Sequence, residues 1–168
     1  HQDDPVKKIL KKCFEEYHFQ GIKFHTHVAA IAPDDEKLFP LYEGIIQHDK
    51  VLTLHAGNGP SLEGYKEKTA QVSGAKRVHN ILKRYPKLKL IMPHLGAEEF
   101  DAFFDLMGEF PNLWMDTTMI CSGYFPLKIP WEQIEKFSDR ILYGSDFPNI
   151  PYEMTTEAKG IQNAPLTP

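Results

Sequence analysis

The chain has 168 residues, 42% hydrophobic and 25% charged, with a formal net charge of −4; that is the make-up of one globular domain with room for a core. Lys and Arg never run longer than a pair, which gives no surface for nucleic acid, and no apolar stretch nears the ~18 residues that span a membrane. Cys13 and Cys121 lie far apart without C-x-x-C spacing, which excludes a disulfide framework or thiolate metal site. The amino terminus lacks a basic start and an apolar core, so the cytoplasm is the expected compartment.

Val6, Ile9, Leu10, Cys13, Phe14 and Tyr17 recur at helical spacing with lysines and glutamates between them, predicting an amphipathic helix within residues 1–20. The strand Ile22–Val28 follows Gly21, then a loop with Pro33-Asp34-Asp35 and a helix from about Lys37 to Gln47. The strand Val51–His55 ends in the turn Ala56-Gly57-Asn58-Gly59-Pro60. Val72, Ala75, Val78, Ile81 and Leu82 mark a helix stopped by Pro86, and Leu88–Met92 is a strand running into Pro93-His94-Leu95-Gly96. Phe100, Phe103, Phe104, Met107 and Phe110 mark the next helix, and Leu113-Trp114-Met115 a strand that delivers Asp116. Trp131, Ile134 and Phe137 mark a short helix, and Arg140–Tyr143 a strand that delivers Gly144-Ser145-Asp146.

This unbroken alternation predicts one domain, 1–168, of parallel strands joined by helical crossovers. Strands and helices occupy 21–150, and 151–168, rich in Thr, Gly, Asn and Pro, is expected to be irregular. An open doubly wound sheet and a (β/α)-barrel both fit. No Gly-x-Gly-x-x-Gly follows a strand, so a dinucleotide site has no support.

His25, His27, His55, His94, Asp116 and Asp146 each fall at or just past the end of a predicted strand. In a parallel barrel all such ends open on one face, where the active site lies. His25 and His27, alternate residues of one strand, would share a side. Taken singly, each His or Asp could be a rim residue or cap a turn; their recurrence at equivalent positions favours function. Imidazole with carboxylate, left open to water, is the ligand set of a catalytic divalent ion such as zinc.

The motifs Gly21-Ile22-Lys23-Phe24-His25-Thr26-His27, Leu54-His55-Ala56-Gly57, Pro93-His94-Leu95-Gly96, Trp114-Met115-Asp116-Thr117-Thr118 and Tyr143-Gly144-Ser145-Asp146-Phe147-Pro148 resemble the amidohydrolase superfamily. More narrowly, they resemble its amidohydrolase-related branch, which contains aminocarboxymuconate-semialdehyde decarboxylase. The resemblance implies an α/β fold, a TIM (β/α)8 barrel of the metal-dependent hydrolase type holding divalent metal, usually zinc. It implies that His55 is a metal ligand, His94 a catalytic acid/base or polarising residue, and Asp146 both a metal contact and the base for the hydrolytic water. Asp116 has no fixed family role; ordering of the loop or substrate contact is expected of it.

That family also carries a His-x-His metal pair, on its first strand. The interval from His27 to His55 holds only one helix and one strand, since a βαβ unit takes about 30 residues or more. The His25/His27 segment therefore belongs to the fourth strand, and both histidines are expected to contact substrate. Lys23 is a counterpart of the superfamily's carboxylated fourth-strand lysine, though set at the far end of the strand.

Only strands four to eight are then present, about five units of the eight in a barrel of about 250 residues. A fragment of a full enzyme, a truncated product completed by a second copy or by an N-terminal segment, and a non-catalytic relative are the three readings. The expected reaction is hydrolysis of a small-molecule amide, ester or lactone by metal-activated water; the alternative is non-oxidative decarboxylation of an aromatic or muconate-like acid. Loops Ala29–Asp35, Asn58–Lys68 and Met119–Pro130, with Tyr65, Tyr124, Phe125 and Trp131, are expected around the pocket.

Overall fold

A computed structural model describes residues 5–59 and 69–167. Helix α1 (Pro5–Lys11) continues into a π-helical turn, Lys12–Glu16, and precedes strand β1 (Gly21–His25). Next come the short helix α2 (Thr26–Ala29), a 3-10 turn Glu36–Leu38 leading into α3 (Phe39–Gln47), and β2 (Val51–His55). Helices α4 (Thr69–Val72) and α5 (Ala75–Arg84) lead to β3 (Lys89–Met92) and the turn Pro93–Gly96. The chain ends with α6 (Phe100–Glu109), β4 (Leu113–Asp116), α7 (Trp131–Lys136), β5 (Ile141–Leu142) and α8 (Thr156–Gln162).

The five strands form one parallel sheet in the order β1-β2-β3-β4-β5. A doubly wound sheet would reverse its strand order at a switch point; this one runs on in sequence order, as consecutive units of a barrel do. Every strand therefore ends at the same edge.

Register and alternation assign the faces. Leu52, Leu54, Leu90, Met92, Leu113 and Met115 are fully buried under the helices, with Val78, Ile81, Leu82, Phe103 and Met107 packed among them. Truncating one such leucine to alanine costs about 2–5 kcal/mol. The opposite face carries Lys23 and His25, Thr53 and His55, Ile91, and Trp114 and Asp116, aligned across the sheet. Most of this face is only partly buried.

Three sequence expectations are corrected. The strand expected over Ile22–Val28 stops at His25, where the chain turns into α2, and Ala30 closes that helix in the left-handed region at φ 53°. The apolar and polar alternation of a few residues does not separate a strand from a first helical turn. Residues 151–168, expected to be irregular, contain α8, fastened by Glu157, which is buried and accepts hydrogen bonds from Cys121 N at 2.9 Å and Tyr152 Oη at 2.6 Å.

The helix expected over Val72–Leu82 is broken at Gly74, whose φ is 112° and whose N–H donates to Ala56 O at 2.9 Å. Glu99 ties this junction down: Oε2 accepts from Asn58 N at 3.0 Å and Oε1 from Ala75 N at 3.3 Å. Among the described residues no helix is long and apolar enough to cross a membrane.

Candidate active site

Four imidazoles meet at the C-terminal edge of the sheet. His25 and His55 are aligned across β1 and β2, and their rings stack with centroids 3.9 Å apart. His27 meets His55 edge to face at 5.1 Å, and His94 meets it from the other side at 4.9 Å. His27 arrives from α2, not along the strand.

His27 and His55 are buried, 1% and 7% exposed. The His27 Nε2–H donates to Gly57 O at 2.9 Å, a carbonyl that can only accept, which leaves the ring's lone pair on Nδ1. Thr26, buried beside them, donates its hydroxyl to His55 O at 2.6 Å and meets Ser73 Oγ at 3.3 Å. His55 Nε2 is buried with no hydrogen-bond partner among the described residues. An orphan of that kind costs about 1–3 kcal/mol and calls for an explanation.

Burial, with the neighbouring His94, His25, His27 and Lys23, pushes His55 down to about 2. Burial, with His27, Lys23 and His94, takes His25 down to about 4 against an opposing pull from Asp146. Burial also lowers His27, partly offset by its bond to Gly57. All three rings are neutral at pH 7 and keep a lone pair, the form that binds metal. One ring nitrogen from each of His25, His27 and His55 lies within 4.8 Å of the other two. The donor set, the burial and the orphaned nitrogen fit a divalent ion.

His94 follows β3 in a left-handed turn, with φ 57° at His94 and 49° at Leu95. Gly96 continues it at φ 84°, and a Cβ there would collide with the Phe103 ring, so the close packing of α6 requires glycine. Asp116 holds the turn: its Oδ1 accepts from His94 N at 3.1 Å and Thr118 N at 3.0 Å. The His94 Nδ1–H donates to Thr118 O at 2.9 Å, which leaves the lone pair on Nε2. Asp116 thus acts on the loop through backbone amides.

Asp146, at φ 61° just past β5, lies outside the three-histidine group and pairs with Lys23 Nζ at 3.8 Å. Lys23 shares a face with His25 and reaches the same edge. The local sequence gave no signal for the roles of Thr26, Gly57 and Thr118, since each acts through one hydroxyl or carbonyl placed by the fold.

Of the expected pocket residues, Tyr124 and Phe125 are exposed and in ring contact at 5.1 Å, and Tyr124 also meets Tyr152 at 5.3 Å. Trp131 packs against the core, and Asp34 faces α5, where it binds Arg77 at 2.7 Å and Asn80 at 2.8 Å. Tyr65, with 60–68 of the expected loop Asn58–Lys68, lies outside the described residues.

No curated protein matches the chain. Among solved structures it is similar to an uncharacterized TIM-barrel protein of Bordetella bronchiseptica, at 16% identity and TM-score 0.73 over 92% of this chain and 53% of that one. It is also similar to 4-oxalomesaconate hydratase of Rhodopseudomonas palustris, at 19% identity and TM-score 0.66 over 98% and 56%. A third is dihydroxybenzoic acid decarboxylase of a Polaromonas species, with bound manganese, at 18% identity and TM-score 0.64 over 96% and 59%. The likeness is one of fold, a TIM barrel of which this chain carries five consecutive strands, and the chain spans 53 to 59% of the length of these proteins. The amidohydrolase family model matches residues 1–167, and the chain belongs to the amidohydrolase family.

Proposed function

We propose that the chain carries the C-terminal part of the active site of a metal-dependent hydrolase that adds water to an amide, ester or lactone carbonyl. The observation that carries this reading is the convergence of His25, His27, His55 and His94 around the orphaned His55 Nε2.

His55 would hold the divalent ion, zinc in this reading, through Nε2. When bound, such an ion supplies Lewis acidity and water acidified toward a pKa of about 7. Asp146, kept beside the imidazoles by Lys23, is the carboxylate placed to take the proton of the attacking water. His94 Nε2, its other nitrogen fixed on Thr118 O, would receive that same proton from Asp146 and deliver it to the leaving group. The edge around the imidazoles binds and orients the substrate, and Asp116 positions His94.

Non-oxidative decarboxylation is the second reading, supported by the decarboxylase among the similar structures. A substrate carboxylate would want an arginine fork, and the arginines are engaged elsewhere. Arg77 binds Asp34, Arg84 covers the Phe39 ring at 4.3 Å, and Arg140 donates to Met107 O, Phe110 O and Leu113 O.

The test is a screen of the zinc- and manganese-loaded chain with amides, esters and lactones, and with aromatic and unsaturated carboxylic acids. Hydrolysis that disappears on chelation and in Asp146→Asn is the expected result. Carbon dioxide release without hydrolysis would move the assignment to decarboxylation. A folded, metal-loaded chain that turns over neither class, and in which His55→Ala changes stability alone, would mark a non-catalytic relative.

A further inference from the structure

We propose that His25 and His27 are metal ligands together with His55, forming a three-nitrogen centre contained wholly within this chain. The inference rests on the reading of this edge as a metal site and changes who holds the ion: two histidines expected to touch substrate become ligands, and Asp146 is left outside.

Zinc takes imidazole nitrogen at about 2.0–2.1 Å, which sets two ligand nitrogens of a tetrahedral site about 3.3 Å apart. The nitrogens of His25, His27 and His55 already lie within 4.8 Å of one another. Closing the set takes movements of about an ångström, available to half-buried His25 by ring rotation.

The surroundings prepare each ring. The Gly57 carbonyl fixes the His27 proton on Nε2 and turns Nδ1 into the donor, the arrangement that commonly orients ligating histidines. His55 Nε2 has no other partner among the described residues. His25 Nδ1 accepts from Val28 N at 3.5 Å, the limit of a hydrogen bond, as the cap of α2.

Rings stacked 3.9 Å apart make poor neighbours as cations, whereas neutral rings can point their lone pairs at one ion. Asp146 is meanwhile occupied by Lys23 at 3.8 Å. Three protein nitrogens with an open fourth position are a catalytic zinc set. An all-imidazole set favours zinc or cobalt over manganese and magnesium, which a site built on carboxylates would accept.

The experiment uses the full chain, free of any affinity tag and stripped by chelation. Zinc is titrated while the imidazole nitrogens are followed by NMR, and cobalt(II) while the visible spectrum is recorded. At one equivalent the signals of His25, His27 and His55 should move together, and cobalt should show an intense four-coordinate band. His25→Ala and His27→Ala should each weaken zinc binding by more than about tenfold, and Asp146→Asn by less than about threefold. His27 is buried and its variant could fold poorly, so NMR of the unaltered chain decides in that case.

Zinc shifts confined to His55, or binding abolished by Asp146→Asn yet intact in His25→Ala, would overturn the inference. Zinc held by all three histidines without turnover would leave it standing and remove the hydrolase reading. Turnover with metal held by His55 and Asp146 would do the reverse.

Discussion

The imidazoles of His25 and His55 lie face to face, 3.9 Å apart and inclined by only 11°. A free histidine titrates near 6.5, whereas burial and the neighbouring His27, His94 and Lys23 hold these two at about 4 and about 2, with Asp146 opposing at His25. Below 6.5 the unfolded chain therefore binds protons that the folded chain refuses, and stability falls with pH. The metal-free chain should show a lower urea midpoint at about pH 5 than at about pH 7.5, with His25 losing its share between about 6.5 and 4. Equal midpoints would mean that the rings are not held neutral.

Asp116 holds the His94 turn through the backbone. Asp116→Ala removes the acceptor for both His94 N and Thr118 N, and each lost bond to a charged group is worth about 1.5–3 kcal/mol. A drop in stability should accompany a lower kcat, with KM nearly unchanged, because His94 leaves its left-handed turn. Asp116→Asn, which keeps an acceptor oxygen, should recover much of both. A KM effect without a kcat effect would point to direct substrate contact instead.

Gly57 is a packing constraint beside the histidine edge. A Cβ there would press into the Gly96 carbonyl and the Ala97 side chain, and overpacking of this kind costs about 1–3 kcal/mol. Gly57→Ala should lower the melting temperature and weaken zinc binding, since the Gly57 carbonyl also orients His27. Calorimetry and zinc titration check the two effects separately. Unchanged zinc affinity in the folded variant would show that this carbonyl does not set the His27 tautomer.

Glu157 anchors the last helix. Its carboxylate is buried and serves Cys121 N and Tyr152 Oη, and burial with this partner raises the Tyr152 hydroxyl to about 12. Glu157→Ala should destabilise the chain by about 2–4 kcal/mol and detach α8, whereas Tyr152→Phe should cost about 1 kcal/mol. Hydrogen exchange across residues 156–162 reads the difference; unchanged protection in Glu157→Ala would show that the carboxylate does not hold the helix.

The positions of His55, His94 and Asp116 at strand ends were legible in the sequence, because each closes a short apolar run, His55 and His94 beside a glycine or proline as well. The convergence of His25 and His27 was legible too, but on a different backbone: Thr26 begins a helix capped by His25, and its hydroxyl is held by His55 O. No single-chain pattern carries that bond. Helix α8 was not legible because Thr156 and Gly160 give it weak local propensity; it forms where Glu157 finds buried partners. Pairing of Lys23 with Asp146 depends on β1 and the segment after β5 meeting across the open face, a fact of tertiary structure.

Glu99 has a consequence for recognition. Its carboxylate occupies the amide of Asn58 in the turn after β2 and that of Ala75 at the start of α5, the latter the kind of place where many α/β proteins cradle a phosphate. The protein thus carries its own counter-anion at that helix end and repels an incoming one. The start of α5 is closed to an outside anion by the chain's own carboxylate, and a phosphate-bearing ligand would have to find its counter-charge elsewhere.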